Sequence, residues 1–302
     1  GFSGIIASGA SEIQWIWHNA HALNLAGDHL MTAKDHGILI KRAAAASLVT
    51  ATALLLSKAA AWSASDSASV LSSLLDSLMD IAASLINFFA IRYALMPPDD
   101  EHPFGHSKAE GLAALMQSAF ILGSATMLLL HVVDRLLKPQ ELTALPESIG
   151  VMAFSTLATV CLVMYQRYVW RKTGSLAVKA DSAHYFSDIL TNIAVIVALV
   201  GAMWGVLWLD AVIALLVAAI LVYGVITIVK EALAVLMDQS LDADDEAALI
   251  DIINSTEGVL GYHDLKTRQS GVVQFVQFHL ELAAEQSLKP VSYTHLTLPT
   301  IR

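Results

Sequence analysis

Six long apolar blocks dominate this 302-residue chain, at about 43–64, 70–95, 111–133, 147–169, 176–206 and 209–230. Several reach the roughly 20 residues that an α-helix needs to cross a bilayer core of about 30 Å. Ala, Gly and Ser are frequent in these blocks. That is expected where helices must pack closely in lipid, with no hydrophobic force to drive them together. The fold class is therefore an all-α polytopic membrane domain of six transmembrane helices. Composition agrees, because 56% of residues are hydrophobic and only 15% charged, against about a quarter charged in soluble domains. A net charge of -10 argues against nucleic acid as a partner, since that requires a basic face. The single cysteine, Cys161, excludes an internal disulfide and any cysteine-cluster metal site. Metal chemistry in this chain must use histidine and carboxylates.

Pro97, Pro98, Pro139 and Pro146 fall in the connections, where a missing N–H does least harm. Lysine and arginine beside the spans set orientation. Lys34, Lys41, Arg42, Arg92, Lys108, Arg167, Arg171, Lys172, Lys179 and Lys230 fall on one side, and only Arg135 and Lys138 on the other. Both termini are then cytoplasmic.

After Lys230 the composition turns soluble. Residues 242–256 open with acidic side chains and continue with helical apolar spacing, which suits the positive end of a helix dipole. Two strand-like runs follow, 262–268 and 272–282, separated by Ser270 and Gly271 at a hairpin turn. One helix and two strands make half of a small α/β domain, so the domain reads as truncated. The expected organisation is a six-helix transmembrane domain over 36–236 and a partial cytoplasmic domain over 237–290. Residues 1–30 lack a basic signal-peptide start, and Met31-Thr-Ala-Lys resembles a bacterial N-terminus. The first 30 residues therefore read as upstream sequence or an extension. The tail 291–302 continues no earlier pattern and reads as an artefact, which removes His295 from consideration.

Ionisable residues inside apolar helices are costly, and so mark candidate functional sites. Asp76 and Asp80 are four apart in one block, and His184 and Asp188 four apart in another, so each pair shares a helix face. Two such helices supply three carboxylates and one imidazole, a four-ligand set suited to Zn²⁺ that would also admit Cd²⁺, Fe²⁺ or Mn²⁺. Only Lys58 lies well inside an apolar span, so one lysine is left to neutralise three carboxylates. The remaining alternative is a set of protonated carboxyls serving a proton relay. In the loop 97–110, Asp99, His102 and His106 offer a second carboxylate and imidazole cluster around Gly105. By spacing alone it is equally a polar loop. The order of Glu101, His102 and Pro103 does not fit the H-E-x-x-H pattern of zinc proteases. His263 and His279 lie on the two strand-like runs, where they can face one another across a hairpin. The five methionines Met79, Met116, Met127, Met152 and Met164 are scattered and read as packing rather than a copper path. Trp62, Trp204 and Trp208 read as an interfacial belt.

Several of these segments together resemble the cation diffusion facilitator family. The runs 72–87, 99–115 and 179–192 are similar to that family's signatures in the second helix, the loop after it and the fifth helix. Residues 237–241, 263–271 and 276–282 point to its bacterial zinc- and iron-efflux branch, whose best-known member is a homodimeric zinc transporter. The resemblance covers roughly 36–290. It implies a ferredoxin-like cytoplasmic domain and a homodimer. It also implies a transport site of Asp76, Asp80, His184 and Asp188, and a loop site of Asp99, His102 and His106. His263 and His279 match two ligands of a cytoplasmic metal centre whose other ligands fall beyond the matched segment, and Lys108 and Asp238 match a structural ion pair. Zn²⁺ is then both cargo and structural ion, with no organic cofactor.

The expected activity is proton-coupled efflux of divalent cations by alternating access, not enzymatic turnover. Metal ligands must lose protons to bind, which ties affinity to pH, and imidazole titrates near pH ~6.5. Two other readings compete. A membrane-bound metal sensor would bind without translocating, but has no need of ligands at the membrane midplane. An intramembrane metalloenzyme needs an open metal position beside a general base, which four protein ligands do not leave.

Overall fold

The computed structural model describes residues 18–20, 33–65, 68–137, 146–204, 206, 208–256 and 258–282. The chain divides into two compact units, Lys34–Leu236 and a second formed by Gly1–Ala33 with Met237–Arg302.

The larger unit is built from six helices: α1 (Ala33–Ser65), α2 (Ala68–Ala94), α3 (Ala109–Leu137), α4 (Pro146–Thr173), α5 (Leu176–Met203) and α6 (Trp208–Leu236). The shortest, α2, has 27 residues; at about 1.5 Å per residue it is some 40 Å long, more than the hydrocarbon core requires. Among the described residues, four segments are long and apolar enough to cross a membrane, Asp35–Ser63, Ser73–Ala94, Ala109–Leu130 and Trp208–Leu236. The helices run past the apolar blocks. Helix α1 starts ten residues before its block, because Lys41 and Arg42 remain helical while lying outside the apolar stretch. Pro146 opens α4, the one helical position where its missing N–H costs nothing. Gly174 ends α4 at φ +69, and its N–H bonds back to the Trp170 carbonyl. A left-handed residue closing a helix in this way is usually glycine, and it lets α5 begin two residues later.

Small residues let these helices approach. Ala114 and Ala125 of α3, Ala180 and Ala194 of α5, and Ala232 of α6 interleave with Val217, Leu221, Val225 and Ile228 of α6 in one buried cluster. A second cluster joins Leu162 and Val163 of α4 to Tyr185 and Ile189 of α5. The outer faces remain apolar as well: Leu122, Met127, Leu157, Met164, Leu215 and Leu216 are exposed. Helices apolar on all sides suit lipid rather than water.

The smaller unit holds β1 (His18–Ala20), α7 (Ala243–Ser255), β2 (Val259–Ser270) and β3 (Val273–Leu282). Asp244, Asp245 and Glu246 lie in the first turn of α7, where the helix dipole favours negative charge. The β2–β3 hairpin turns at Gly271 with φ +60, and the antiparallel sheet runs in the order β1-β3-β2. Ile253 of α7 packs on Val276 and Phe278 of β3. Strand β2 runs past the first strand-like run at both ends, while β3 starts just inside the second, around the expected turn. Of residues 1–30 only the short strand β1 is described, and 291–302 with His295 lie outside the described residues.

Candidate metal centres

In the membrane unit, α2 and α5 bring Asp80, His184 and Asp188 together, with one ligand atom of each within 4.8 Å of the others. His184 Nε2 is 3.3 Å from Asp80 Oδ1. Two donor atoms that each sit about 2.0 Å from a tetrahedral ion stand roughly 3.3 Å apart. The pair is thus spaced as ligands across an ion, and its geometry is not that of a hydrogen bond: neither ring nitrogen of buried His184 has a hydrogen-bond partner among the described residues. A buried imidazole with both nitrogens unsatisfied is rare without a function. Asp76, one turn earlier on α2, is exposed and stands outside this group of three. Lys58 of α1 donates to Ser77 Oγ at 2.7 Å and to the Ser73 carbonyl at 3.2 Å. It ties α1 to α2 and forms no salt bridge with the three ligands.

The loop between α2 and α3 folds Asp99, His102 and His106 into a second cluster. The His102 backbone N–H donates to Asp99 Oδ1 at 2.6 Å, and the Gly105 N–H donates to the His102 carbonyl at 2.9 Å. Gly105 has φ +80, which bends the loop back so that both imidazoles face one carboxylate. His102 Nδ1 lies 3.2 Å from Asp99 Oδ1, and His106 Nε2 lies 3.3 Å from Asp99 Oδ2, again ligand-like spacings. The backbone N–H of His102 holds the Asp99 carboxyl below the usual carboxylate range, aided by the two imidazoles. His106 is buried, packed edge-on against Tyr93 at 4.5 Å, and its Nδ1 has no partner among the described residues.

In the smaller unit His263 of β2 and His279 of β3 are directly paired in register, with rings stacked 5.1 Å apart. A register shift follows His263, and Asp264 there adopts φ +57. Its carboxylate comes within 3.6 Å of His279 Nε2, while Glu281 reaches His263 Nδ1 at 3.1 Å. The Lys266 ammonium beside Asp264 holds its carboxyl below the usual range. The two residues of the expected ion pair each have other contacts: Lys108 Nζ donates to the Leu236 carbonyl at 3.3 Å, and Asp238 pairs with Arg268 at 2.9 Å.

Two further carboxylates are fully buried in the membrane unit, and the sequence reading passed over both. Glu110, in the first turn of α3, accepts from Ser175 Oγ at 3.1 Å beside the start of α5. Asp181, one turn before His184 on α5, accepts from Gln166 of α4 and Gln117 of α3. The signal was present in the sequence, since each is an ionisable residue within or beside an apolar block.

Comparison with known proteins agrees with this geometry. Residues 44–237 match the family described as the cation efflux transmembrane domain, and residues 241–291 match the cation efflux protein cytoplasmic domain. The chain is 45% identical over 262 residues to a cation-efflux pump FieF of Cronobacter sakazakii, covering 87% of this chain and 86% of that protein. It is 46% identical over 263 residues to a FieF pump of Salmonella schwarzengrund, covering 87% of each. With membrane and cytoplasmic domains matched in order, the chain belongs to the cation efflux family, the cation diffusion facilitators.

Proposed function

We propose that this protein exports divalent cations, Zn²⁺ foremost, from the cytoplasm in exchange for protons. The cation is carried at Asp80, His184 and Asp188, with Asp76 as fourth ligand. The observation that carries this reading is the buried imidazole of His184, with both ring nitrogens unsatisfied and one of them 3.3 Å from Asp80 Oδ1. One imidazole with carboxylates suits Zn²⁺ and tolerates Cd²⁺, Fe²⁺ and Mn²⁺. The names of the pumps this chain resembles support efflux as the direction.

The proton coupling follows from the ligands themselves. A ligand set binds a cation only when deprotonated, so a site open to the cytoplasm sheds protons as it loads. Opened to a more acidic exterior, the same groups take up protons and release the metal. Rocking of helices about a fixed midplane site is the expected motion. In this reading all six helices cross the inner membrane, both termini face the cytoplasm, and the protein works as a homodimer. The loop cluster at Asp99, His102 and His106 and the stacked pair His263 and His279 bind Zn²⁺ as further sites, and Lys108 pairs with Asp238.

The test is Zn²⁺ uptake into proteoliposomes by wild type and by Asp80→Ala at matched protein content. Uptake abolished in the variant, with fold and loop-site binding intact, supports the proposal. Wild-type rates in the variant refute it.

A further inference from the structure

Deep in the membrane unit the carboxylate of Asp181 is the meeting point of five helices. Gln166 Nε2 of α4 donates to Oδ2 at 2.6 Å, and Gln117 Nε2 of α3 donates to Oδ1 at 3.5 Å. The buried side chains of Ser47 of α1 and Asn87 of α2 stand beside the same carboxylate. Each of these four residues, and Asp181 itself, is at most 2% exposed. Both carboxylate oxygens thus accept from an amide, in a pocket closed by buried side chains. The arrangement has a cost: Asn87 Oδ1 and Gln166 Oε1 are buried without a partner among the described residues. Gln166 leaves its own oxygen bare while aiming its N–H group at the Asp181 carboxylate, which shows how strongly that carboxylate organises its surroundings.

The same hub grips the residue next to His184. Tyr185 OH bonds Ser84 Oγ of α2 at 2.7 Å, and Ser84 in turn bonds Ser47 Oγ at 3.2 Å. The Tyr185 ring stands edge-on to the His184 ring with centroids 5.4 Å apart. His184 therefore lies between two anchors on its own helix, Asp181 one turn before it and Tyr185 immediately after. Between them they fix both the rotation of α5 and its distance from α2, the helix that carries Asp80.

We infer that Asp181 is a positioning residue for the transport site: its buried polar hub sets the spacing of His184 and Asp188 against Asp80, and so tunes the site toward a small cation such as Zn²⁺ over a larger one such as Cd²⁺. This rests on the transport-site reading above. Asp181→Asn keeps the shape but replaces an all-acceptor group with one that donates, so the amides facing it must turn. Loss of a group that orients a metal ligand commonly lowers metal affinity 10–100-fold.

The experiment measures Zn²⁺ and Cd²⁺ affinities by chelator competition on the full chain. Its background carries His102→Ala and His263→Ala to silence the other sites, and Asp80→Asn is measured in parallel. The expected result for Asp181→Asn is a Zn²⁺ affinity lowered roughly 10–100-fold with a smaller loss for Cd²⁺, so that the Zn²⁺/Cd²⁺ ratio falls. Gln166→Met, which removes one donor and keeps the volume, should shift the ratio in the same direction by less, and it decides the matter if Asp181→Asn does not fold. Binding insensitive to Asp80→Asn would remove the transport-site reading and this inference with it. Binding that depends on Asp80, with affinity and ratio unchanged in the folded hub variants, would overturn this inference alone. Equal losses for both metals would also overturn it, because general loosening of the fold does not discriminate by ion size.

Discussion

Asp80→Asn probes the transport site with little change in side-chain volume. A four-ligand zinc site in a small domain yields about 10–16 kcal/mol at neutral pH, or roughly 2.5–4 kcal/mol per ligand if shared evenly. Since 1.4 kcal/mol is a factor of ten, losing one such ligand should weaken Zn²⁺ binding by roughly 10²–10³-fold. Asp80 belongs to the group whose ligand atoms lie within 4.8 Å of one another, whereas Asp76 is exposed and outside it. Asp76 is the fourth ligand but is more exposed than the other three, so its share should be smaller and Asp76→Asn should weaken binding less than Asp80→Asn does. Chelator competition on purified protein carrying His102→Ala and His263→Ala reads both values. Equal losses in the two variants, or no loss at Asp80, would refute the assignment of the primary ligands.

Three further outcomes follow from the geometry. Gly105→Ala forces a Cβ onto a residue at φ +80, where it would meet only ordinary van der Waals contact with Pro98, so the cost is backbone strain of about 1–2 kcal/mol; calorimetry of metal binding at the loop should show weaker affinity while the transport site is unchanged. Because the folded state lowers the Asp99 carboxyl below its usual 3.8, its contribution is complete above that value and is lost only as pH falls through the lowered one. Asp99→Asn should therefore weaken loop-site binding at pH 5 as well as at pH 7. Lys179 pairs with Glu231 and lies over the Trp170 ring, but both partners are only partly buried, so Lys179→Met should lower the thermal midpoint by only the small amount due to about 0.2–1 kcal/mol.

How much of this was legible in the sequence varies from one element to the next. The six helices were, because lipid leaves the backbone few alternatives and apolar length is read directly. Their ends were not: α1 runs on through Lys41 and Arg42, since helical hydrogen bonding does not stop where hydropathy does. The pairing of His263 with His279 was anticipated from two runs and a turn, and it holds in the register. The loop cluster was ambiguous by spacing. What brings its three side chains together is the fold-back at Gly105 and the burial of His106, which spacing cannot show. Asp181 was hidden for a different reason. It sits three residues before His184, yet its donors Gln117 and Gln166 and its neighbours Ser47 and Asn87 come from four other helices. Nothing local states which helices meet in the bundle. Asp76 shows the converse: the i,i+4 spacing puts it on the Asp80 face, but its place on the helix leaves it exposed.

The central claim is that one set of side chains carries metal in one direction and protons in the other. Its most direct test records both fluxes in the same proteoliposomes, with a zinc dye and a pH dye inside, as the imposed pH gradient is reversed. The account requires Zn²⁺ entry to drive proton exit and to slow when the gradient opposes it, with both signals lost together in Asp80→Ala. Zn²⁺ entry at an unchanged rate under either gradient, without proton movement, would contradict it.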